Sequence, residues 1–283
     1  MKWGQFELHL ISDGSLWLDG GAMFGVVPKM LWEKKSPPDE RNRIRLGLNC
    51  LLIQTADKNL LIDTGCGFNN TEKEIEIYNI EHDTDILREL QRIDVPPEKI
   101  DFVINTHYHF DHCGGNTRLE GDELVPNFPN ATYLVSRQEY EDANHPNERT
   151  VATYFPHNWK PLEQRGLLQF VEEDQEIVPG VTLVQTPGHT AGHQSVKVES
   201  EGKILFYMAD LCPTAAHISL PWIMAYDLFP LTTLEVRKRI YPQAVDEKWL
   251  LFLEHDPKLP LGRLSQENGR YILEAEPWQE AEG

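Results

Sequence analysis

Within six consecutive positions the chain reads His107-Tyr108-His109-Phe110-Asp111-His112, directly after the apolar run Phe102-Val103-Ile104. No other feature restricts the fold as much. A buried imidazole needs partners for both ring nitrogens and a buried carboxylate needs several donors, so this cluster is costly in an ordinary core. Alternation along an extended segment puts His107 and His109 on one side, and Asp111 and His112 can turn inward after it. One loop can then serve a pair of metal ions about 3.5–4 Å apart. The competing reading is a polar surface loop with incidental histidines, which is the reading given to the isolated His9, His82, His145 and His157.

Four apolar runs lead straight into candidate ligands: 102–106 into His107, 181–188 into His189, 203–209 into Asp210 and 249–254 into His255. Ligands at strand ends can converge while the strands hold them in place. Further strands are expected over 5–11, 48–54, 60–63, 131–135 and 194–198, with a turn at 64–67. Helices are expected over 84–93, capped by Asp83 or Thr84, over a segment opened by Ser136 and Glu139 in capping-box spacing, and near 231–240. No linker rich in Gly or Ser divides the chain. The expectation is one domain over 1–283, built from two similar halves that divide near 125–180, with sheet packed on sheet and helices outside.

Composition narrows the function. With 45 acidic against 26 basic residues the net charge is −19, so a nucleic-acid partner, which requires a basic face, is not expected. No apolar run reaches the roughly 18 residues of a membrane span, and the start does not read as a signal peptide. The scattered Cys50, Cys66, Cys113 and Cys212 fit reduced thiols in a cytoplasmic protein.

The segment HYHFDH resembles the HxHxDH signature of the metallo-β-lactamase-fold superfamily. LIDTG at 61–65, TPGHTAGH at 186–193, MAD at 208–210 and LEHD at 253–256 follow in the order of that family. The resemblance implies an α+β fold, a four-layer αββα sandwich with two zinc ions at one edge of the paired sheets. It implies one ion held by His107, His109 and His189, a second held by Asp111, His112 and His255, and Asp210 bridging them together with a water or hydroxide. Imidazole and carboxylate donors suit zinc, and other divalent transition metals are compatible with them. Asp63 reads either as a carboxylate that orients a ligand histidine, the favoured reading, or as the structural hinge of a strand-turn. His193 is expected to bond across the loop after His189, and Cys113, a tempting ligand directly after His112, to pack as a small hydrophobe beneath the site.

Within the superfamily, His109 stands where the diiron reductases carry an acidic residue, and Asp210 where common zinc β-lactamases carry a cysteine. The RNA-processing branch is disfavoured by charge. The glyoxalase II branch adds a helical region for which the 28 residues after His255 are too few. The N-acyl-homoserine-lactone hydrolases, the quorum-quenching lactonases, match better, through 19–29, 211–217 and 222–227. That resemblance implies opening of a lactone ring by the shared hydroxide, with Asp111 and Asp210 in the catalytic machinery and a small lactone or ester as substrate. One departure stands out: Pro213 occupies the position of the tyrosine that contacts the lactone in the best-known members. Tyr226 and then His217 are the candidate replacements. The rival readings are a phosphotriesterase of the same fold, a thioester hydrolase and a catalytically silent ligand-binding relative. Residues 20–32, more apolar than a surface loop, are expected to line an acyl pocket through Met23, Phe24 and Val26, to bury in a homodimer, or to pack on their own core.

Overall fold

The structure, a computed structural model, describes residues 1–278. The described chain forms two compact units, residues 1–14 with 48–173 and residues 15–47 with 174–278. Strands β1 (Lys2–Trp3), β2 (Phe6–Asp19), β3 (Arg43–Gln54), β4 (Asn59–Ile62), β5 (Phe102–Ile104), β6 (Thr117–Glu120), β7 (Glu123–Pro126), β8 (Thr132–Ser136) and β9 (Leu168–Val171) come first. They make a sheet in the order β1-β2-β3-β4-β5-β8-β9, with β6 and β7 a separate hairpin. The second sheet follows chain order through β10 (Gln175–Val178), β11 (Val181–Gln185), β12 (Gln194–Ser200), β13 (Lys203–Tyr207), β14 (Leu250–Phe252), β15 (Leu261–Glu267) and β16 (Arg270–Ala275).

The parallel pairs position the ligands. β4 lies parallel to β5 with Ile62 opposite Ile104, so Asp63 and the loop from Asn105 leave the sheet at the same edge. β13 lies parallel to β14 with Tyr207 opposite Phe252, and Asp210 and His255 each follow three residues after those partners. A parallel pair needs a long crossover, and the helix Pro230–Asp246 lies in the one between β13 and β14. Its Val236, Ile240 and Ala244, spaced four apart, pack with Phe206, Leu251 and Leu253. In the first unit, Ile86 and Leu90 of the helix Ile86–Arg92 pack with Leu52, Leu61, Val103 and Tyr133.

Local expectations shift in instructive ways. The first helix start is capped by Asp85, whose carboxylate accepts the Arg88 N–H at 3.0 Å, and not by Asp83 or Thr84. Ser136 precedes the helix Arg137–Asn144 but makes no side-chain cap, and the buried Glu139 is used elsewhere, as described below. β2 runs on to Asp19, well past residue 11. Among the described residues no helix is long and apolar enough to cross a membrane.

Candidate metal centre

In the first unit the ligand loop begins from Asp63, a buried residue in the left-handed region (φ 55°) at the end of β4. Its carboxylate accepts the Thr106 N–H at 2.8 Å, the Thr106 hydroxyl at 2.7 Å and the His112 Nδ1–H at 3.1 Å. The Thr106 hydroxyl donates its hydrogen bond to Asp63, so its oxygen accepts from His107 Nδ1–H, 3.1 Å away. Both imidazoles are held in the Nδ1–H form, with a lone pair left on Nε2. Asp63 therefore orients His112 directly and His107 through Thr106, in line with the sequence expectation.

The alternation of the motif has a packing cause. Tyr108 and Phe110 point away from the ligands. Tyr108 stacks on Trp159 with ring centroids 4.9 Å apart, and Phe110 lies between Tyr78 and Phe155 at 4.5 and 5.2 Å. His107 Nε2 and His109 Nδ1 are brought to 3.1 Å, and the His107 and His112 rings to 4.0 Å. Asp111 Oδ2 lies 4.0 Å from His112 Nε2. Glu139, fully buried, accepts the Tyr108 N–H and the Tyr154 hydroxyl, both at 3.0 Å, and the Tyr154 ring sits 5.3 Å from that of His109. Cys113 is buried with Tyr108, Val135 and Trp159, and burial pushes its thiol up, so it packs as an inert small hydrophobe.

In the second unit His189 follows β11 through Gly188 (φ 146°), where a Cβ would meet Thr233 Oγ1 at 2.3 Å. His189 donates Nδ1–H to Asp227 at 3.0 Å, and Asp227 in turn accepts the Thr233 hydroxyl at 2.6 Å. Asp210 presents Oδ2 to His189 Nε2 at 3.0 Å and Oδ1 to His255 Nε2 at 3.3 Å. His255 donates Nδ1–H to the Gly47 carbonyl at 2.9 Å and its backbone N–H to Pro213 at 3.0 Å. His193 spans its loop: Nδ1 lies 2.9 Å from Thr186 Oγ1 and Nε2 accepts the Asp210 N–H at 3.2 Å. Ala209, buried at φ 44°, holds a conformation that costs a residue with a Cβ about 1–2 kcal/mol. Strain of this kind gathers where the surroundings over-determine the backbone. Arg237, fully buried, donates to the carbonyls of Leu211, His217 and Trp222 at 2.7, 2.9 and 3.0 Å.

These donors fit metal ions. Within each unit the imidazoles of His107, His112, His189 and His255 have Nδ1–H committed to a hydroxyl, a carboxylate or a carbonyl, which leaves Nε2 as the ligand atom. Nitrogen ligands about 2.0–2.1 Å from a tetrahedral zinc lie about 3.3 Å from each other. The 3.1 Å between His107 and His109 and the 3.0 and 3.3 Å at Asp210 are close to that edge. Burial works against a charged His189, yet Asp210 and Asp227 raise it to about 10. The field that attracts a proton to this ring attracts a cation to Nε2 equally.

Two sequence expectations change. His217 is fully buried, with Nδ1 on Thr214 Oγ1 at 2.7 Å and Nε2 on the Met23 carbonyl at 2.8 Å. Both ring nitrogens are committed, so this residue ties two segments together and offers no donor to a ligand. Phe24 is also fully buried, stacked on His217 at 4.6 Å and on Trp32 at 5.0 Å, which makes it a core residue and not a pocket wall. Met23 is 1% exposed, whereas Val26 is 91% exposed. Tyr226 is half-buried beside Asp227. Asp227 was not expected to bond a ligand residue, nor Glu139 to brace the motif through the Tyr108 N–H. Asp227 lies within the lactonase-like stretch 222–227, but nothing in its local spacing indicates a partner 38 residues away.

Residues 44–255 match the family model of the metallo-beta-lactamase superfamily. The chain belongs to this superfamily, is a hydrolase of it, and has its fold. It is 32% identical over 227 residues to the N-acyl homoserine lactonase AiiA of Bacillus thuringiensis subsp. kurstaki, covering 75% of this chain and 82% of that protein. A probable metal-dependent hydrolase from Staphylococcus aureus superposes with a TM-score of 0.89 at 34% identity, over 98% of this chain and 100% of that one. An N-acyl homoserine lactone hydrolase with the product N-hexanoyl-L-homoserine bound at its catalytic metal center gives 0.70 at 28% identity, over 90% and 95% of the two chains.

Proposed function

We propose that this chain hydrolyses lactones, specifically N-acyl homoserine lactones, using two divalent ions, zinc by default. His107, His109 and His189 would hold one ion, and Asp111, His112 and His255 the other, with Asp210 shared. The observation that carries the dinuclear reading is Asp210, which turns one carboxylate oxygen to His189 at 3.0 Å and the other to His255 at 3.3 Å. A carboxylate that divides its oxygens between two candidate ligand imidazoles can serve two ions, which supports this reading. The lactone reading rests on the relatives, whose named substrate or bound product is of this class.

Bound ions of this type supply a water deprotonated near neutral pH and a positive charge that stabilises the carbonyl oxygen in the transition state. The protein's residues do the rest. Asp210 would take a proton from the water as the water oxygen bonds to the lactone carbonyl carbon, and would return that proton to the departing alkoxide as the ring C–O bond breaks. Tyr226, half-buried, supplies the hydroxyl that orients the substrate where Pro213 cannot. Proton release from a C6 to C12 series of N-acyl homoserine lactones tests the reading, run beside a phosphotriester, a glutathione thioester and a cephalosporin. Lactone turnover well above the others is expected. Fast phosphotriester turnover with negligible lactone turnover would overturn the lactonase assignment and leave the metallohydrolase intact.

A further inference from the structure

The second unit carries a half-open cavity of about 400 Å³, lined mainly by apolar surface, with Ile44, Ala215 and Leu259 among its walls and Lys35, Arg45 and Lys258 around it. The volume falls in the range of small-molecule sites, about 300–1,000 Å³. Three cations at one cavity are notable in a chain of net charge −19. Arg45 Nε donates to Ser15 Oγ at 3.2 Å, and Lys35 Nζ lies 4.8 Å from the Trp222 ring. The acidic residue of the lining is Asp256, and its oxygens are taken by three backbone donors, Ala215 N at 2.9 Å, Lys258 N at 3.0 Å and Leu259 N at 2.7 Å. Among the described residues no ion pair joins Lys35, Arg45 or Lys258 to a carboxylate.

We propose that this cavity binds an amphipathic carboxylate, with an acyl chain against Ile44, Ala215 and Leu259 and the anionic head among Lys35, Arg45 and Lys258. Apolar walls exclude a small hydrophilic anion as the preferred occupant, and the cations favour a charged head over a neutral one. The occupant is either a free medium-chain fatty acid or the ring-opened acyl product of the proposed reaction. Both carry a carboxylate head and an acyl chain. Binding requires no turnover, so it stands whether or not lactones are the substrate.

Calorimetric titration of the metal-loaded protein with butyrate, hexanoate, decanoate and N-decanoyl homoserine tests it. Affinity should rise up to about fourfold per added methylene until the chain fills the cavity. The R45E/K258E double variant, changed at two exposed positions, should bind decanoate at least tenfold more weakly with its melting temperature retained. Ala215→Phe, which fills the cavity, should cost decanoate more than butyrate. Equal affinity for butyrate and decanoate, or undiminished decanoate binding by R45E/K258E, overturns the proposal and places these carboxylates elsewhere. Whichever of decanoate and N-decanoyl homoserine shows the larger loss in the double variant identifies the source of the ligand.

Discussion

His189 donates its Nδ1–H to the buried carboxylate of Asp227 at 3.0 Å, and that single bond decides which nitrogen of the ring faces Asp210. Partners of this kind typically contribute 10–100-fold in metal affinity. Asp227→Ala should therefore weaken the ion held by His189 by that factor while the other ion is retained. Competition against a graded series of chelators measures it, and two unchanged affinities would remove Asp227 from the site.

Asp210 is the next residue to test. Its two oxygens reach His189 and His255, and an amide offers one good ligand oxygen in place of two. Asp210→Asn should bind close to one ion per chain in place of the two proposed and lose nearly all hydrolysis. Elemental analysis and lactone turnover report the two effects separately.

Gly188 tests the packing beneath the ligand. At φ 146° an added Cβ would approach Thr233 Oγ1 to 2.3 Å and Thr233 N to 2.6 Å, and Thr233 is the residue that holds Asp227. Gly188→Ala should lower the melting temperature by several degrees, since overpacking costs about 1–3 kcal/mol. It should also loosen the His189 ion, whereas Gly202→Ala, with open space around it, should leave metal binding unchanged.

His217 predicts a pH dependence. Burial lowers it from 6.5 to about 4, with Arg237 acting in the same direction and the Met23 carbonyl opposing. The unfolded chain takes up the proton first, so the stability His217 contributes is present above about pH 6.5. It is lost as the pH falls from there towards 4, to a total of about 3 kcal/mol at most. Denaturant midpoints of the wild type and His217→Gln between pH 7 and 4 should converge on acidification, because glutamine has no proton to take up.

Tyr226→Phe should reduce lactone turnover by about 2–13-fold, the value of one hydrogen bond, with metal content unchanged. A larger loss would mean that the hydroxyl does more than orient substrate.

Much of the site was legible in the sequence because its ligands are written locally. HYHFDH is contiguous, and His189, Asp210 and His255 each follow closely on an apolar strand. Apolar runs in register with a neighbour carry their C-terminal residues to one edge, so Tyr207 beside Phe252 is enough to send Asp210 and His255 the same way. The Asp63 assignment came from chemistry, since a ligand imidazole needs an acceptor for its other N–H, and the pairing of β4 with β5 supplies the proximity.

The residues that hold the ligands were not legible in this way. Glu139 had the spacing of a capping box, and local rules sent it to the helix start. The fold instead buries it against Tyr108 and Tyr154, where two donors compensate a carboxylate more fully than one cap. His217 looked like a donor for a substrate, and only packing against Phe24 and the Met23 carbonyl, 194 residues away in sequence, shows it committed on both nitrogens. By itself the sequence determined which side chains are the candidate ligands and which strands deliver them, because ligand chemistry and strand periodicity are local properties. Only the tertiary structure decided which nitrogen each histidine presents, because a tautomer is set by an acceptor that the chain brings back from a distance.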